Sequence, residues 1–274
     1  MDTYNIYKDI NARTQGEIYI GVVGPVRSGK STFIKHFAEK LILPFIDEGA
    51  GKERTKDELP QSAAGRTVMT TEPKFIPREA CTITPAEDLS MKIRLIDCVG
   101  FMIDGATGVV EEGKERLVKT PWYDYEIPFS EAAEFGTRKV IKDHSTVGIV
   151  MTTDGSIGEL PRDSYRAAEK TAIDELKKIG KPFVVVVNSK SPASKTASDC
   201  VDEIKKSYDT EAVSIDCEKL TLADVNRTLE LLLNSFPING MEFYFDKWIE
   251  TLPDDNEIKQ AMLECAGQLL DKIT

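Results

Sequence analysis

Histidine is nearly missing from this sequence: His36 and His144 are the only two in 274 residues. A zinc site, which draws on histidine and cysteine at fixed spacings, is not expected. The five cysteines, at positions 81, 98, 200, 217 and 265, are odd in number, scattered and never spaced as Cys-x-x-Cys. That pattern indicates neither a disulfide framework nor a thiol redox motif, and a reducing cytosol is the expected compartment. No apolar run approaches the ~20 residues that span a bilayer; Phe183–Val187 is typical of the longest. The opening residues, Met1–Arg13, are polar and mixed in charge, unlike a secretory leader. Positive charge is also in deficit. Lys and Arg number 35 against 46 Asp and Glu, a formal net charge of −11, so no nucleic-acid partner and no anionic-lipid surface is expected for the chain as a whole. Internal repeats and low-complexity segments are absent as well.

What the chain does have is apolar residues enough for a large core, 41% of the total, in short blocks with two periods. Residues 17–24 (EIYIGVVG), 146–154 (TVGIVMTTD) and 181–189 (KPFVVVVNS) are apolar on both strand faces, as in a buried parallel sheet. Residues 79–84, 91–97 and 211–216 read as further strands. Between them, 30–43, 130–144, 161–180, 198–208 and 222–236 carry helical spacing. Pro44 stops the first of these helices, Ser130 is placed to cap the second, and the third opens with Pro161 and closes with Gly180. Residues 47–72 read as a long polar loop, and 99–129 as an irregular insertion. Near-alternation of strand and helix predicts an α/β fold, a mainly parallel sheet with helices on both faces and a ligand beyond the strands' carboxyl ends. The pattern changes after Pro237. Residues 1–237 are expected to form one domain with an N-terminal extension over 1–16, and 238–274 a helical appendage or the start of another domain. The helix expected at 254–273 places Ile258, Met262, Leu263, Cys265, Ala266, Leu269, Leu270 and Ile273 on one side, leaving an apolar face in want of a partner.

Residues 24–31, GPVRSGKS, match G-x-x-x-x-G-K-[ST] where the chemistry requires it, after a strand and at a helix start. Gly24 and Gly29 let the backbone curl around an anion. The N–H groups of Arg27, Ser28 and Gly29 and the helix N-terminus present positive partial charge to phosphates. Lys30 is the candidate for the β and γ phosphates, Ser31 for Mg²⁺ and Thr32 for the α phosphate. The strand IRLIDCVG ends in Asp97, a carboxylate for the metal, and Gly100 can offer its N–H to a γ phosphate. In the long loop, Thr67, Thr70 and Thr71 each qualify by position to close on metal and phosphate. Asn188 stands where related proteins hold an Asn-Lys-x-Asp base reader, but here the run is Asn188-Ser189-Lys190-Ser191. Without the aspartate a site loses its means of choosing guanine, so ATP is the expected nucleotide. Phe101 occupies the place of a water-orienting glutamine, so hydrolysis is expected to be slow or to use another group; Gln61, Arg66 and Arg27 are candidates. Cys98, beside Asp97, reads as strand packing.

Several of these segments together resemble the stage IV sporulation protein A family: GEIYIGVVGPVRSGKSTFIKHF, DELPQSAAGRTVMTTEPKF, IRLIDCVGF, TPWYDYEIPFSEAAEFGTRKVI and STVGIVMTTDGSIGELPRDSY. The resemblance covers about residues 4–236. It implies a Mg²⁺-dependent ATPase with a GTPase-like, translation-factor-related P-loop fold, whose hydrolysis drives self-association into the basement layer of a spore coat. Lys30, Ser31 and Asp97 take the family's site roles, and Thr70 and Thr71 the sensor roles, with Thr71 a metal candidate. It further implies a mother-cell location on the outer forespore surface. A small amphipathic membrane-bound peptide and other coat proteins would be partners, reached through a C-terminal part of longer family members. The competing readings are a GTPase switch, a coat protein holding static nucleotide, and a small-molecule kinase.

Overall fold

The computed structural model describes residues 5–46, 48–60, 72–86, 89–103, 105, 110–111, 114–158, 160–237 and 243–271. Two compact units divide the chain, Met1–Phe236 and Pro237–Thr274. In chain order the first unit holds α1 (Ile6–Thr14), β1 (Glu17–Val23), α2 (Lys30–Leu41), α3 (Ala50–Glu58), β2 (Lys74–Ala86) and β3 (Leu89–Asp97). Four short strands follow, β4 (Val110–Glu111), β5 (Lys114–Glu115), β6 (Leu117–Thr120) and β7 (Tyr123–Pro128). Then come α4 (Phe129–Lys139), β8 (Val147–Thr153), α5 (Asp163–Lys178), β9 (Phe183–Asn188), α6 (Lys195–Tyr208), β10 (Ala212–Ile215) and α7 (Leu222–Asn234).

Six strands form one sheet in the order β10-β9-β8-β1-β3-β2. All its pairings are parallel except that of the edge strand β2, which runs antiparallel to β3. The expected mainly parallel α/β sheet is what forms. Every residue of β8 and β9 is buried, which is why those strands read as unbroken apolar runs rather than alternating ones. One face of the sheet packs Ile6 and Ile10 of α1, Phe33, Ile34 and Phe37 of α2, and Leu229 and Leu232 of α7. The other packs Tyr165, Ala172 and Leu176 of α5 with Cys200 and Ile204 of α6. The register aligns the carboxyl ends: Val22 lies beside Asp97, Thr153 beside Asn188, and Ile215 beside Asn188.

Local chemistry sets the helix ends. Leu41 ends α2, and Pro44 lies in the single 3₁₀ turn that follows. Thr221 and Asp224 form a reciprocal capping box on α7. The structure departs from the sequence reading in four places. Residues 6–14 of the supposed extension are a helix, capped by the Asn5 side chain. Part of the supposed 47–72 loop is α3, a polar helix supported by Lys52–Glu48 and Arg54–Glu58 pairs one turn apart. Ser130 is not the cap of α4: the helix starts one residue earlier, with Pro128 in the cap position. The 99–129 insertion contains two antiparallel strand pairs, β4–β5 and β6–β7.

In the second unit, α8 (Lys247–Glu250) and α9 (Glu257–Asp271) are helical. Ile258, Leu263, Leu269 and Leu270 of α9 are exposed. Among the described residues no helix is long and apolar enough to cross a membrane.

Candidate nucleotide site

The chain leaves β1 at Val23 and reaches α2 at Lys30 through a loop whose first and last positions admit only glycine. Gly24 has φ of +123°, and a methyl group there would lie 2.3 Å from the Met151 carbonyl oxygen. Gly29 has φ of +93°, and its methyl group would lie 2.2 Å from the Asn188 amide nitrogen. Glycine meets both demands at once, a left-handed backbone and a close approach. The Ser28 hydroxyl closes the loop on itself, donating to the Pro25 carbonyl at 2.9 Å. Arg27 is exposed at the loop's crown with φ of +62°.

Lys30 is buried, and its ammonium donates to the Pro25 carbonyl oxygen at 2.6 Å. Burial pulls its pKa below the usual lysine value, a pull that Cys98 and Asp97 nearby oppose. Ser31 is exposed and donates to Asp97 Oδ2 at 2.8 Å. Asp97 is itself buried, and that burial pushes its carboxyl above the usual range despite the Ser31 hydroxyl and the Lys30 charge. Its other oxygen, Oδ1, is buried with no hydrogen-bond partner. A buried carboxylate oxygen without a donor, beside a hydroxyl, is a hard-oxygen pair that suits a divalent cation such as Mg²⁺. Thr32 is half-buried in the first turn of α2.

Two expected ligand groups have other partners here. The Gly100 N–H donates to the Thr137 hydroxyl at 3.1 Å. Asn188 braces the loop: its Nδ2 donates to the Ser28 carbonyl at 3.1 Å, and its Oδ1 accepts from the Cys217 N–H at 3.1 Å. Phe101 is buried rather than turned to the site, and its backbone stitches the segment after β3 to the loop. Its N–H donates to the Gly24 carbonyl at 3.0 Å, and its carbonyl accepts from the Val26 N–H at 2.9 Å. The structure thus gathers Gly24, Lys30, Ser31, Asp97, Gly100 and Asn188 at one sheet edge. Thr67, Thr70, Thr71, Gln61 and Arg66 lie outside the described residues.

Sequence reading places Asp154 at this edge but misses the partners that hold the edge together. Asp154, just past β8, accepts from the Ser156 N–H at 2.9 Å and from the Ser189 hydroxyl at 2.6 Å. Arg162 spans Thr152 at 3.0 Å and the buried Glu169 at 2.8 Å. The strand-end position of Asp154 is visible in the sequence. The partners are not, because they arrive from other strands and helices.

A parallel sheet, a glycine-walled loop between strand and helix, a buried lysine and a paired serine and aspartate define a P-loop nucleotide-binding protein. Residues 1–237 match the family described as Stage IV sporulation protein A, ATPase domain, so the chain belongs to the stage IV sporulation protein A family. It is 47% identical over 264 residues to the Stage IV sporulation protein A of Clostridioides difficile (strain 630), covering 96% of this chain and 54% of that protein. It is 44% identical over 273 residues to that of Bacillus anthracis, covering 100% of this chain and 56% of that protein. The chain therefore spans about half the length of the curated relatives it matches. Among solved structures it is similar to Toc33 from Arabidopsis thaliana in a dimerization-deficient mutant, with a TM-score of 0.47 and 11% identity over 84% of this chain and 88% of that one.

Proposed function

We propose that this chain binds and hydrolyses ATP with Mg²⁺, and that the nucleotide cycle governs its self-association in building a spore coat. One observation carries the reading: Ser31 and Asp97 are joined at 2.8 Å beside the buried Lys30, while the Asp97 Oδ1 atom stays buried without a partner. Ser31 and Asp97 are the residues that would hold Mg²⁺. Held there, the ion would supply charge stabilisation to the polyphosphate. Lys30 exchanges loop carbonyls for phosphate oxygens, which recovers the ion pairing that its burial costs. The N–H groups of residues 27–29 orient the polyphosphate, and Thr70 and Thr71 keep the sensor roles that family membership gives them. Phe101 offers no group to orient water, so turnover is slow.

ATP is the nucleotide of this reading because the 188–191 run lacks an aspartate for the guanine edge. Coat assembly, the forespore surface and an amphipathic membrane-bound peptide as partner belong to the same reading, supported by membership of the family. The test is phosphate release from ATP and GTP, with and without Mg²⁺, by the wild type and Lys30→Ala. Mg²⁺-dependent release from ATP that the substitution abolishes is expected. Turnover of the variant at the wild-type rate overturns the site, and preference for GTP overturns the choice of base.

A further inference from the structure

We infer that Thr137 is a positioning residue that sets how strongly the site prefers a nucleoside triphosphate over the diphosphate. The inference rests on the nucleotide reading above and adds a residue from α4 to it.

Gly100 is packed against the phosphate-binding loop. A methyl group on it would lie 2.2 Å from the Gly24 carbonyl oxygen and 2.6 Å from the Lys30 ammonium, and its φ is +99°. Its N–H, however, turns the other way, to the Thr137 hydroxyl at 3.1 Å. Thr137 is fully buried, and its hydroxyl donates to the Ala133 carbonyl at 2.8 Å. That second bond is an ordinary one-turn back-bond of a helical threonine. The acceptance from Gly100 is not, since it ties α4 to the segment following β3.

The next residue cannot follow a movement of Gly100. Phe101 is fixed to the loop through both its N–H and its carbonyl. The Val99–Gly100 peptide is consequently the unit free to rotate, and glycine permits the change of φ that a rotation needs. A third phosphoryl group seated at Lys30 brings an anionic acceptor beside that peptide. An N–H bond to an anion is stronger than one to a neutral hydroxyl. A diphosphate brings no such acceptor. The Gly100 N–H thus has two competing partners, and Thr137 is the one that wins when the third phosphoryl group is missing. Removing the hydroxyl leaves the buried N–H with only the Cys98 sulfur, a weak acceptor, beside it in the diphosphate arrangement, but not in the triphosphate one.

The experiment measures equilibrium affinities of the whole chain for fluorescent ADP and for the fluorescent β,γ-imido analogue of ATP, with excess Mg²⁺. Thr137→Val, close to threonine in shape, is expected to raise the analogue-to-ADP affinity ratio by about tenfold, equivalent to ~1.4 kcal/mol. Thr137→Ser keeps the hydroxyl and is expected to keep the wild-type ratio. Thr137→Ala replaces the valine variant if circular dichroism shows that the latter does not fold. A purely structural threonine would shift both affinities together. An unchanged or lowered ratio, with wild type binding both ligands, overturns the role of Thr137. Failure of wild type to bind either ligand overturns the nucleotide reading itself.

Discussion

Removing the Asn188 carboxamide should loosen the phosphate-binding loop and destabilise the fold together. Its two polar atoms serve two backbone groups distant in sequence, the Ser28 carbonyl at 3.1 Å and the Cys217 N–H at 3.1 Å. Asn188, Ser28 and Cys217 are all buried. Asn188→Ala leaves a donor and an acceptor without partners, at about 1–3 kcal/mol for each buried group. The carbonyl is the cheaper of the two to leave short, so the sum falls at roughly 2–4 kcal/mol. With a urea m-value of about 3 kcal/mol/M, the midpoint drops by about 1 M. ATP affinity falls in parallel, by about tenfold, because Gly29 and Lys30 directly follow the unanchored Ser28. Asn188→Asp separates the two contacts. The introduced carboxylate still accepts from Cys217, but its second oxygen faces the Ser28 carbonyl and repels it. Burial and that repulsion raise the carboxyl's folded-state pKa above the unfolded value. Its stability is therefore full below the unfolded pKa and is lost as pH rises through the folded one. Urea titrations at pH 5 and pH 8 with nucleotide binding test both variants. An alanine variant matching wild type in midpoint and affinity refutes the brace, and so does an aspartate variant equally stable at both pH values.

Two further outcomes follow from buried groups near the site. Arg162→Met leaves Glu169, which is 1% exposed, as an unpaired carboxylate, and should cost about 3–5 kcal/mol in urea unfolding. Pairing it with Glu169→Leu should recover most of that loss, and a double variant no better than the single one contradicts the ion-pair account. Cys98 is buried, which pushes its thiol up to about 11. At pH 8 about one molecule in a thousand holds the thiolate, so native alkylation by iodoacetamide should reach the exposed Cys265 and spare Cys98 until the protein is unfolded. Labelling of the two at similar rates would show that the strand end is open to solvent.

Much of the sheet was legible because burial on both faces writes itself into the sequence as unbroken apolar runs. Val184–Val187 and Val147–Met151 could hardly be anything but inner strands. The phosphate loop was legible for another reason: its glycines, lysine and serine act through backbone shape and charge at fixed spacing. Both signals are local. The misses share the opposite property. Helix α3 has no apolar stripe to read, and ion pairs one turn apart support it instead. Helix α1 shows only Ile6 and Ile10 to the core, too few to outweigh its polar neighbours. Thr137 lies in the middle of a helix, where a buried hydroxyl and an exposed one look alike in sequence.

The run at 188–191 joins the two kinds of information. Its sequence shows only that a guanine-reading aspartate is lacking. The structure shows where its side chains go instead. Asn188 is committed to the backbone of the loop and of residue 217. The Ser189 hydroxyl donates to Asp154 and accepts from the Ser191 N–H at 3.1 Å. The Lys190 N–H reaches the Ser156 hydroxyl at 3.0 Å. These contacts bind the ends of β8, β9 and β10 to the phosphate loop. The run therefore acts as a clamp on the loop's position. A clamp of this kind reads no guanine edge, which agrees with ATP as the proposed nucleotide.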